Sequence, residues 1–125
     1  MIKTLVSTIL AFLIVIGGAI FERKFIDREF EEFHDVLCVL YEKTEQETAV
    51  KNDVYAVQKL WLSKKKKLHA VIPHTEIKEV DLWLSEAVTL VEDKQWEDAI
   101  SKIEVLIELS EQIPETFTLS FQNIF

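Results

Sequence analysis

Glycine is almost missing: both copies, Gly17 and Gly18, lie in an apolar stretch near the amino terminus, and none follows from Phe21 to Phe125. Only glycine enters the left-handed region of backbone space without steric cost. Its scarcity therefore argues against tight β-turns and left-handed helix caps. It also excludes phosphate-cradling loops, dinucleotide fingerprints, nucleophile elbows and calcium loops. The single cysteine, Cys38, permits no intramolecular disulfide. Prolines are limited to Pro73 and Pro114, and no HExxH occurs. Nothing in the chain assembles a nucleophile, a base and an oxyanion site, so neither an enzyme nor a bound cofactor is expected. At 125 residues the chain has room for one domain and not for a multidomain enzyme.

What the chain does contain begins with an uncharged run, Thr4 to Phe21, preceded by Lys3 and followed by Glu22-Arg23-Lys24. As a helix the run spans roughly 27 Å, close to the hydrocarbon thickness of a bilayer. It reads as a single-pass anchor, residues 1–21, that meets the membrane through residues 4–21. A cleaved signal peptide with Gly17 and Ala19 before the cut is the rival, but the run continues through Ile20 and Phe21. Orientation draws opposite arguments. Arg23, Lys24 and Arg28 outnumber Lys3, which places the domain in the cytoplasm. The basic residue, apolar run and small-residue exit follow the layout of an export signal, and on that ground the domain is expected outside the cell membrane.

Residues 22–75 carry ten charges of each sign, whereas 76–125 carry twelve acids against three lysines. An acidic half of this kind repels phosphates, so nucleic acid is not an expected partner.

Apolar spacing predicts an all-α fold. Ile26, Phe30, Phe33, Leu37, Leu40 and Thr44 recur at three and four residues, giving a helix over 22–48 that leaves the membrane directly. Val50, Val54, Val57, Trp61, Leu68 and Val71 give a second over 50–71, with Lys64 on the stripe as a snorkelling side chain. Pro73 breaks the pattern, and Thr75 offers a capping hydroxyl for a third helix over 76–92. Its stripe is Ile77, Val80, Leu84, Ala87, Val88 and Val91. Asp93 is placed to cap a fourth, 95–113, which Pro114 ends. Residues 22–113 thus form a four-helix bundle of two helical hairpins. Lys51–Leu60 aligns with Lys94–Ile103 at an offset of 43 residues, which raises a duplication like that of tetratricopeptide repeats.

Few side chains suggest chemistry. His69, His74 and Glu76 gather around Pro73 and form the one candidate metal or ligand site, the basis of an alternative reading as a sensor. Helix-start capping is the plainer role for His74 and Thr75. His34 and Cys38 stand one turn apart, but two ligands make no metal site. Lys64–Lys67 ends the second helix, where it complements the dipole and stays solvated. In the tail, 114–125, Phe117, Leu119 and Phe121 alternate and Ile124 and Phe125 follow. So many exposed apolar groups are unfavourable, and the tail is expected to dock on the bundle or on a partner.

The chain also carries Trp61, then His74-x-Glu76-Ile77, Asp93-x-x-Trp96-x-x-Ala99 and Leu119-x-x-x-Asn123-Ile124-Phe125. In these residues it resembles bacterial family 4363 among the domains of unknown function, small membrane-anchored helical proteins. The resemblance implies the architecture and no reaction. Trp61, Phe117, Leu119, Phe121, Asn123, Ile124 and Phe125 are the candidate interaction residues. A membrane or envelope protein, or a second copy in a homo-oligomer, is the expected partner.

Overall fold

Why the apolar residues recur at three and four becomes plain in the computed structural model, which describes the backbone of residues 1–124 and the side chains of residues 1–116. Four α-helices follow one another, α1 (Ile2–Glu45), α2 (Lys51–Leu68), α3 (His74–Glu92) and α4 (Trp96–Ile124), and no strand occurs among the described residues. Each packs on its neighbour in sequence, and α4 closes the ring against α1. Consecutive helices run antiparallel.

All six stripe positions of α1 and all six of α3 are buried. In α2 the stripe holds at Val54, Val57, Trp61 and Leu68, while Val50 is exposed at the N-cap and Val71 is half-buried in the following turn. Phe33 and Phe30 pack against the Trp61 ring, with centroids 4.9 and 6.3 Å away. Burying each such side chain contributes about 1.5–3 kcal/mol. The buried Thr44 hydroxyl donates to the Leu40 carbonyl at 2.7 Å, so it adds no unpaired polar group.

The expected anchor and first bundle helix are one unbroken element. Through Phe21 the large apolar side chains of α1 are exposed, and from Ile26 its stripe is buried. Among the described residues α1 is the one helix long and apolar enough to cross a membrane, judged by length and composition.

Several sequence expectations are corrected. Left-handed caps do occur without glycine: Glu47 and Lys94 have φ of 60° and 57° in the turns after α1 and α3. Asp93 does not cap α4. It closes α3, its N–H donating to the Thr89 carbonyl while the Lys94 N–H donates to that of Val91. Thr75 is no cap either, because α3 already begins at His74, directly after Pro73. Proline suits that position because its fixed φ and missing N–H cost nothing at a helix start. Finally, α4 does not stop at Pro114 but carries it inside a helix that continues to Ile124. An internal proline costs about 3 kcal/mol in a free helix. Here Ile113 and Pro114 are both buried, and their packing holds the chain in line. The docking expected of Phe117, Leu119, Phe121, Asn123, Ile124 and Phe125 concerns side chains outside the described residues.

Candidate functional site

The last turns of α2 carry a buried charge, paired with one on α1. Lys64, on the apolar stripe, does not snorkel to water; its side chain is 4% exposed and its Nζ lies 2.6 Å from Glu29 Oε2, itself 7% exposed. Glu32, one turn further along α1, also accepts from Lys64. Lys67 approaches the second Glu29 oxygen at 4.0 Å. Burial alone would lower the Lys64 pKa, but the hydrogen-bonded carboxylates of Glu29 and Glu32 outweigh it and hold the ammonium above the ordinary lysine value. The Lys64 hydrogen bond and charge in turn hold the Glu32 carboxyl below the usual carboxylate range.

On the other side of α2, Trp61 Nε1 and Lys65 Nζ donate to the two oxygens of Asp81, each at 2.7 Å. The α2 lysines therefore join α2 to both flanking helices. The expectation of a wholly solvated run holds for Lys66 and Lys67, which are exposed, and fails for Lys64 and for the half-buried, paired Lys65. Trp61, a candidate interaction residue, is 1% exposed and belongs to the core. An indole with its N–H paired inside the fold offers no surface to a partner.

Beyond Leu68 the chain turns through exposed His69 and Ala70 to Pro73 and His74. The two imidazoles stack at 5.8 Å between centroids, and Glu76 lies half-buried in the first turn of α3. Among the described residues no three His, Cys, Asp or Glu side chains gather in a way that could hold a metal ion.

A second polar cluster joins α1 to α4. His34 Nε2 lies 2.9 Å from Glu111 Oε1, and the Cys38 sulfur lies 3.8 Å from His34 Nδ1. Burial, then the carboxylates of Asp35, Glu111 and Glu42, raises the Cys38 thiol pKa, the opposite of what a nucleophilic thiolate needs. This contact was missed in the sequence because its two ends are 77 residues apart. Tyr41 repeats the link one level higher by donating to Glu104 at 3.2 Å.

One concavity is apolar. A groove of about 230 Å³ opens between α1 and α2, lined by Val36, Val39, Leu40, Ala56 and Val57, with Lys43 and Asp53 at its edge. Val39 is 54% exposed although it faces this groove. The Lys43–Asp53 pair, at 2.9 Å, closes the end toward the α1–α2 turn. The groove thus offers an apolar surface with one paired charge at its edge.

The family model described as a domain of unknown function, DUF4363, matches residues 26–124, and the chain belongs to that family. The match begins at the first buried stripe residue, Ile26, so the apolar run lies outside it. No curated protein and no solved structure matches the chain.

Proposed function

From membership of a family with no stated activity, we propose that the chain is a membrane-anchored, non-enzymatic accessory module that binds another membrane or envelope protein. One observation carries the reading. A single helix passes from an apolar run with no buried side chain into the core of a closed bundle. Such a helix ties the bundle to the membrane without a flexible linker and holds its sides toward neighbours in the same bilayer. The α1–α2 groove is the surface this reading assigns to the partner, because its lining is largely apolar and Val39 and Ala56 stay exposed along it. The bundle is assigned to the outer side of the membrane, as the export-signal layout suggests.

Crosslinking in native membranes followed by mass spectrometry tests the reading. A recurrent membrane or envelope neighbour, linked through residues flanking Val39 and lost in Val39→Asp, is the expected result. Crosslinks no different from those of an unrelated single-pass protein would overturn it.

A further inference from the structure

We infer that the uncharged end of α4, residues 116–124, is a second membrane contact that enters the headgroup–acyl boundary beside α1. The inference rests on the anchor reading above. His34 with Glu111, at 2.9 Å, and Tyr41 with Glu104, at 3.2 Å, set α4 antiparallel to α1. Phe21 closes the apolar run 13 residues before His34, and Ile124 lies 13 residues after Glu111. Each interval is roughly 20 Å of helix, so α4 reaches the level at which α1 leaves the bilayer.

Burial along α1 shows the same reach. Ile26 is buried and Glu22 and Ala19 are half-buried, whereas Phe21, Arg23 and Lys24 are exposed. Gly18 and Gly17 are exposed again. One face of α1 is therefore covered as far as Ala19, inside the apolar run. The last turn of α2 stops beside Glu29, which leaves α4 as the helix whose register extends to that level.

The composition of α4 changes over this stretch. From Glu97 to Glu115 it carries seven charged residues, and from Thr116 to Ile124 it carries none. Phe117, Phe121 and Ile124 follow the buried Ile113 at intervals of four, four and three, so these positions continue the apolar stripe. Position 119, a leucine, falls on the opposite side of the helix. Packing on α1 accounts for one side only. Apolar positions on two sides, without charge, suit a helix set between protein and lipid. The headgroup layer of one leaflet is about 5–8 Å deep, roughly the last four or five residues of α4. Charges of both signs surround this end of the bundle, so the contact uses apolar insertion and not attraction to headgroups.

The test uses the full chain carrying Cys38→Ala in phosphatidylcholine vesicles, with a nitroxide on one introduced cysteine at a time, Phe117→Cys through Ile124→Cys. Collisions with oxygen, which concentrates in lipid, are compared with those of a water-soluble nickel complex. Leu13→Cys in the apolar run and Glu108→Cys on the exposed side of α4 serve as references. The oxygen-to-nickel ratio should climb toward 124 and exceed that at 108 severalfold on at least one side of the helix, in low and high salt alike. A lipid-exposed label at 13, with labels at 117–124 no different from 108, overturns the contact alone. Labels shielded from both reagents at every position do the same, because the segment then docks wholly on protein. A label at 13 that nickel reaches, in a chain lost on carbonate washing, overturns the anchor reading and the contact with it.

Discussion

Lys64 keeps its ammonium in the core because two carboxylates from α1 meet it there, and removing one partner should be worse than removing both. Lys64→Met leaves the buried Glu29 with only the distant Lys67, 4.0 Å away, a defect worth up to about 3–5 kcal/mol. Glu29→Leu combined with Lys64→Met should recover most of that loss, because apolar replacements of a buried pair are often neutral or better. Thermal unfolding followed by circular dichroism would decide, and a double variant no more stable than the single one would refute the pairing. The same residue predicts behaviour in alkali. A lysine whose folded pKa lies above the ordinary 10.5 stabilises the fold fully below that value and loses the contribution as pH climbs through the higher one. The hydrogen bonds to Glu104 and Glu92, with burial second, also raise the Tyr41 and Tyr55 phenol pKa values, so these groups ionise first in the unfolded chain. The melting temperature should hold to about pH 10 and then fall. The fall should be smaller, but not absent, in Lys64→Met.

At the scale of elements, the turns are where glycine was expected and does not occur. Glu47 and Lys94 hold left-handed backbone that costs a side-chain-bearing residue about 1–2 kcal/mol. Glycine relieves this strain but loses about 0.5–1 kcal/mol in chain entropy. Glu47→Gly and Lys94→Gly should each gain up to about 1 kcal/mol, a rise of a few degrees in melting temperature. A drop at either position would mean that the turn takes another conformation. The far end of α4 poses the other question at this scale. His34 with Glu111 and Tyr41 with Glu104 define one antiparallel register between α1 and α4. Carried on through the helical backbone beyond Pro114, that register brings the end of α4 level with Phe21. Deleting residues 116–125 should therefore lower the melting temperature by several degrees. Unchanged stability with loss of a crosslinked partner would make the segment an interaction element. No change in either would show that it does not dock.

For the whole molecule, the proposed anchor makes two demands that can be checked in the host. A carboxy-terminally tagged chain should remain in the carbonate-washed membrane pellet at full length, and a soluble product beginning at Ile20 would point to secretion instead. With the bundle outside, protease added to intact protoplasts should remove it. Digestion only after lysis would show that Arg23, Lys24 and Arg28 set the orientation.

The alternation of apolar and polar residues by itself determined the helical class, the number of bundle helices and nearly all of the core. Phe33, Leu37, Val80 and Ala87 could be read directly because a helix must bury one face, and the spacing of apolar residues marks that face whatever lies opposite. Tertiary structure decided the rest. A lysine on an apolar stripe looks the same in sequence whether it snorkels or pairs, and only the approach of Glu29 from another helix settled the place of Lys64. His34 and Glu111, far apart along the chain, likewise meet only when α4 closes on α1. Pro114 appeared as a stop because propensity is local; its burial beside Ile113 kept the helix running. Asp93 and Thr75 misled for a related reason, since either side of a short turn offers amides to cap and the packing of the helices decides which end each residue joins.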